Sequence, residues 1–175
     1  MADASPNAYR ISVEDPEPFW LDAANAVHWD APPTIAHDGA AWFPDAKLNT
    51  CFNAVDRHVE QGRGDQVALV YDSPVTGKVQ RWTFAELKAA VAQTAGMIAS
   101  QGVSKGDRVI IYMPMIPEAV FAMLACARLG AIHSVVFGGF SATGLAKRID
   151  DATPKLVLAA SCGIVCTAAI PPPVR

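Results

Sequence analysis

Apolar and polar positions change their period along this 175-residue chain, and the changes mark its elements. Thr83 and Glu86 form a T-x-x-E capping box, and Phe84, Leu87, Val91, Ala95 and Ile98 follow at helical spacing. This pattern predicts an amphipathic helix that Gly102 ends. The run RVIIYM over 108–113 predicts a strand. Pro117 and Glu118 then open a helix that is apolar almost all round and closes at Gly130, so it should be buried on more than one side. AIHSVVF, 131–137, predicts another strand, running straight into Gly138-Gly139. Ser141 is placed to cap a helix reaching about Ala152, and KLVLA, 155–159, reads as a strand again. Apolar strands alternating with helices predict an α/β fold, an incomplete parallel β-α-β-α-β sheet with helices on both faces.

Upstream, Phe52, Val55 and Val59 share one face of a helix expected over 50–61, which Gly62 and Gly64 end. A hairpin follows, with a strand at 67–71, a turn at 74–77 and a second strand from Val79. Residues 1–49 are punctuated by Pro16, Pro18, Pro32, Pro33 and Pro44, which predicts an irregular leader with one short helix bearing Phe19, Trp20, Ala23, Ala24 and Val27. Trp20, Trp29 and Trp42 lie in this leader, which is expected to pack on the body of a larger domain. The closing CTAAIPPPVR has no periodicity, and consecutive prolines donate no backbone hydrogen bonds. The expected organisation is therefore a leader at 1–49, a partial domain at 50–164 and a divergent, unstructured tail at 165–175, with a reading-frame change near codons 164 to 165.

Composition narrows the function classes. Half of the residues (51%) are hydrophobic, enough for one globular core and unlike a disordered chain. A net charge of −3 with scattered Lys and Arg suggests no nucleic-acid or membrane-surface partner. The longest apolar stretch, 119–127, is too short to span a bilayer. Arg10 is accompanied by Asp3, Glu14, Asp15 and Glu17, unlike a secretory or mitochondrial leader, so a cytoplasmic location is expected. Cys51, Cys126, Cys162 and Cys166 are expected as unpaired thiols, with no metal site.

Candidate chemistry is sparse. Gly138-Gly139, at the junction of a strand and a helix N-terminus, either eases a tight turn or lets backbone amides approach a ligand. Neither G-x-G-x-x-G nor a Walker pattern is present. His133 reads as a core or inter-strand residue, His58 as a solvated helix residue beside Arg57, and Asp150 and Asp151 as exposed helix-end charges. No catalytic set can be assembled from spacing, so no catalytic residue is assigned.

The block YMPMIPEA, followed by MLACARLGAIHSVVFGGFS, closely resembles acetyl-CoA and propionyl-CoA synthetases, which are adenylate-forming ligases. PEPFW, NTCFNAVDRHVE and RWTFAELKAAVAQTAGMIASQGV resemble the same family, so the likeness covers roughly 16–164, with a texture nearer the propionyl branch. The resemblance implies the first part of the large N-terminal domain of an adenylate-forming enzyme. It also implies an AMP-forming reaction of a short-chain carboxylate, ATP and CoA with Mg. Phe137, Gly138 and Gly139 would line the path of the pantetheine arm of CoA. The family's ATP loop, acyl pocket and late lysine have no counterpart in this chain. The basic segment expected near Val165 and Ala168 is replaced by uncharged residues. The isolated chain is accordingly expected to be inactive and to bind none of ATP, CoA or Mg well. The alternatives are a non-catalytic interaction module and a standalone nucleotide-binding α/β protein.

Overall fold

A computed structural model describes residues 6–165 and 168–170. The chain divides into two compact units, Met1–Asn49 and Thr50–Arg175.

The first unit holds two helices where one was expected, α1 (Pro6–Glu14) and α2 (Pro16–Ala24). α1 has little apolar stripe to announce it, since Tyr9 and Val13 are both exposed. Its local support is polar: Arg10 pairs with Glu14 one turn on and with Asn7 at 2.9 Å. Beyond α2 the chain is irregular but internally bonded. The Glu17 carboxylate accepts from the Ala36 N–H, and the Trp29 indole donates to the Ala24 carbonyl. Trp20 meets Trp42 edge-on at 5.1 Å, and Trp29 meets Phe43 at 5.4 Å. The leader's aromatic residues thus contact one another in a partly exposed cluster.

The second unit opens with a helix that loosens into π-helical turns at Phe52–Asp56 and Val59–Arg63. The hairpin follows as β1 (Val67–Ser73) and β2 (Lys78–Thr83), antiparallel, with Ser73 opposite Lys78. α3 (Phe84–Ser100) begins at the expected capping box, with both of its reciprocal bonds formed. Then come β3 (Arg108–Met113), α4 (Pro117–Leu129), β4 (Ile132–Phe137), α5 (Ala142–Ala152) and β5 (Leu156–Ala159).

These strands form the expected parallel sheet, in the order β4-β3-β5. β3 is central, and its side chains divide between two interiors. Val109 and Ile111 pack with Leu87, Val91, Ile98, Ala122 and Cys126 of α3 and α4. Ile110 and Tyr112 pack with Val136 and with Leu145 and Ile149 of α5. Helices therefore cover both faces. β4, however, lies at an edge, and its Ile132, Val135 and Phe137 are exposed. The largely apolar strand pattern did not disclose this, because edge position depends on which neighbours are present.

The buried Asp56 carboxylate ties the helical segment 50–63 to α4 and α3, 2.6 Å from Arg128 Nη2 and 3.3 Å from Lys88 Nζ. At the start of the sheet, Lys155 bonds Asp107 at 2.9 Å, and Arg108 donates to the Ala152 carbonyl and to Thr153 Oγ1. β6 (Gly163–Val165) and β7 (Ala168–Ile170) pair antiparallel, where a structureless tail was expected from 165. The three prolines and Cys166 lie outside the described residues.

Candidate functional site

β3 and β4 end side by side, with Met113 opposite Phe137. In open parallel sheets this carboxyl edge is where ligands approach, because strands hand over there to loops and helix N-termini. The chain reverses sharply beyond β4. The Phe140 N–H donates to the Phe137 carbonyl at 3.0 Å, closing a four-residue turn over Phe137, Gly138, Gly139 and Phe140. Ser141 then caps α5, accepting from the Gly144 N–H at 3.2 Å.

The two glycines serve different needs, and neither has a positive φ that would demand glycine for conformational reasons. A Cβ on Gly138 would stand 3.1 Å from Pro114 N and 3.2 Å from Met113 C and O, all backbone atoms at the end of β3. Gly138 is therefore required for close packing of the turn on the sheet. The nearest atoms to a Cβ on Gly139 would be those of the Phe137 ring, with Cε1 at 2.5 Å. That ring is 66% exposed and free to swing. The space above Gly139 is thus bounded by a movable aromatic side chain.

Phe137 meets Phe140 edge-on at 6.2 Å, and the Arg148 guanidinium lies 4.1 Å above the Phe140 ring. From beneath, the buried Tyr112 hydroxyl stands 3.0 Å from the carbonyl oxygens of both Gly138 and Phe140, donating one shared hydrogen bond. The sequence offered no sign of this role, since Tyr112 follows the apolar run Val109–Ile111 and its partners are 26 and 28 residues away.

A cleft of about 360 Å³ opens beside the turn, lined by Tyr71, Ser73 and Thr76 of the hairpin, by Pro114 and Met115, and by Cys162. Phe137, Gly138 and Gly139 do not line it. Pro114 links the two features, forming part of the cleft wall and backing Gly138.

Other candidate groups fall elsewhere. His133 is exposed on the edge strand rather than enclosed. His58 is half-buried, against the solvated position expected: Arg63 Nη1 donates to its Nδ1 at 3.0 Å and Phe84 lies 4.6 Å away. Desolvation, followed by the charges of Arg63 and Arg57, holds its pKa below the usual value. Asp150 and Asp151 are exposed on α5. Cys51 and Cys126 are buried free thiols, and burial pushes Cys126 up to about 11. Cys162 is free and exposed. Val165 and Ala168, where a basic segment was expected, are backbone partners in the β6–β7 ladder. Among the described residues, no group of three or more His, Cys, Asp or Glu is placed to hold a metal ion. No described helix is long and apolar enough to cross a membrane.

Comparison with known proteins adds the family context. The model for AMP-binding enzymes matches residues 55–172, and that for the acetyl-coenzyme A synthetase N-terminus matches residues 6–54. The first match runs past the boundary at 164 expected from sequence. An uncharacterized protein of Pseudomonas aeruginosa is 56% identical over 158 residues, which is 87% of this chain and 25% of the relative. Acyl-CoA synthetase short-chain family member 3, mitochondrial, of Bos taurus is 50% identical over 161 residues, 89% of this chain and 24% of the relative. The acetyl-coenzyme A synthetase of Streptomyces coelicolor is 47% identical over 167 residues, 93% of this chain and 26% of the relative. The chain spans about a quarter of the length of the curated relatives it matches.

Proposed function

The chain belongs to the AMP-binding enzymes, and we propose that it supplies the N-terminal part of an acyl-CoA ligase acting on a short-chain carboxylate such as propionate or acetate. The observation that carries this reading is the continuous likeness to acyl-CoA and acetyl-CoA synthetases over 89% and 93% of the chain. In the proposed reaction a carboxylate oxygen attacks the α-phosphorus of ATP, and pyrophosphate departs with its electron pair. The CoA sulfur then attacks the acyl carbon, and AMP leaves. Both steps depend on orienting the reactants and balancing developing charge.

The part of this chain assigned to the second step is the turn Phe137–Gly138–Gly139. It lies at the carboxyl edge of the sheet, and Gly139 presents no side chain to that side. A narrow pantetheine arm can pass such a surface closely, and Phe137 supplies an exposed apolar flank for its methylenes. In this proposal the groups that activate ATP and the carboxylate lie outside these 175 residues, Mg acts with ATP in the whole enzyme, and the isolated chain turns nothing over. A cytoplasmic location belongs to the same proposal and is checked by cell fractionation, since the bovine relative is named as mitochondrial.

A chimera tests the reading. Residues 55–164 of this chain replace the matching segment of the Streptomyces coelicolor acetyl-coenzyme A synthetase. The chimera is expected to release pyrophosphate on addition of acetate or propionate and then to consume CoA. The 175-residue chain alone is expected to do neither. A folded chimera that is inactive in both steps, or turnover by the isolated chain, overturns the proposal.

A further inference from the structure

We propose that Tyr112 is a positioning residue for the thioester-forming step, its hydroxyl fixing the Phe137–Phe140 turn and hence the width of the thiol path. This rests on the reading of that turn as a wall of the path. The strand around Tyr112 is apolar, and its ring fills the interior shared with Val136, Leu145 and Ile149. A phenylalanine would fill that interior equally well, so the packing does not account for the hydroxyl. A buried hydroxyl costs stability unless it is bonded. Both of its partners lie in the turn, at 3.0 Å from the Gly138 and Phe140 carbonyls.

The turn has other restraints: the Phe140 N–H bonds the Phe137 carbonyl across it and Gly138 packs on the Met113–Pro114 backbone, but neither contact bonds the Gly138 carbonyl. Arg148 covers Phe140, and Ser141 caps the helix that follows. The Gly138–Gly139 peptide has no side chain to hold it, and glycine has more backbone freedom than any other residue. Its carbonyl is anchored by the Tyr112 hydroxyl. If that bond is lost, the peptide can rotate, Gly139 shifts under the Phe137 ring, and the ring's swing narrows the surface beside it. An interaction of this kind affects the step in which the thiol arm must lie along the turn. It leaves the attack on the α-phosphate untouched.

The test introduces Tyr112→Phe into the chimera described above and measures each half-reaction. Acid-dependent pyrophosphate release is expected to stay within twofold, while KM for CoA rises at least fivefold. Hydrogen exchange of the 138–144 amides is expected to accelerate at least tenfold, with the β3 amides unchanged. Unchanged exchange in the turn overturns the anchoring role. Equal losses in both half-reactions also overturn it, because the residue would then act on folding alone. Faster exchange with unaltered CoA kinetics overturns the catalytic consequence. Gly139→Leu, measured in parallel, shows where that failure belongs. If it too is silent toward CoA, the assignment of the turn to the thiol path is what failed. Should the chimera not fold, exchange of the turn in the 175-residue chain and its Tyr112→Phe variant decides the anchoring role in the same way.

Discussion

Gly138→Ala is expected to destabilise the chain more than Gly139→Ala, although the nearer clash is at Gly139. The added methyl at 138 stands 3.1 Å from Pro114 N and 3.2 Å from Met113 C and O. These are backbone atoms at the end of the central strand, so relief requires the turn to lift from the sheet. Overpacking of this kind costs about 1–3 kcal/mol. The reduced freedom of the unfolded chain returns about 0.4–1 kcal/mol, because the φ at 138 is one that alanine accepts. The midpoints of these ranges leave a net loss of about 1.3 kcal/mol. At 139 the methyl meets Phe137 Cε1 at 2.5 Å, but that ring is 66% exposed and can rotate away. The same entropic return offsets most of the lost ring contact with Phe140, leaving a change near zero. Urea unfolding followed by far-UV circular dichroism compares the two variants. With a slope of about 2 kcal/mol per molar, Gly138→Ala lowers the midpoint by about 0.7 M. A larger loss at 139 than at 138 would refute the distinction between backbone and movable side-chain neighbours.

Asp56→Asn keeps the shape of the side chain but removes the charge facing Arg128 at 2.6 Å and Lys88 at 3.3 Å. Breaking the buried pair is expected to cost about 2–3 kcal/mol, with Lys88 contributing little because it is more than a third exposed. A loss below about 0.5 kcal/mol in urea unfolding counts against this. The Lys155 hydrogen bond, followed by those from Ser104, holds the Asp107 carboxyl at about 2 against an ordinary 3.8. A depressed carboxyl stabilises the fold above its unfolded value and loses that contribution as pH falls through the folded one. Stability should therefore decline between about pH 4 and pH 2, less steeply in Asp107→Asn; equal slopes contradict the pairing. Of the described thiols, Cys162 should be alkylated at pH 8 well before Cys51 and Cys126, which are buried with raised pKa values. Mass spectrometry showing Cys126 labelled first would contradict that order.

Local signals were the legible part of the chain. The Thr83–Glu86 box, the proline and glycine bounding α4, and the alternation from 108 onward each act over a few residues, and each appears as expected. The elements missed from sequence depend on other kinds of information. α1 is held by polar pairs that leave no apolar stripe. The exposure of β4 and His133 depends on sheet order, which no single strand encodes. His58 is half-buried through Arg63 and Phe84, residues on neighbouring turns and elements. At the site, the glycine pair could be picked out from sequence, but the reason for each glycine could not. Gly138 answers to Met113 and Pro114, and the whole turn answers to Tyr112, partners brought near only when the sheet forms.

The central claim is that the Phe137–Gly139 turn borders the path of the CoA thiol. Gly139→Leu in the chimera tests it most directly, because the backbone at 139 accepts a side chain and the nearest obstacle is the movable Phe137 ring. Single-turnover measurements should show adenylate formation within twofold of the parent and transfer to CoA slowed at least tenfold. An equal fall in both half-reactions, or full activity in both, would contradict the claim.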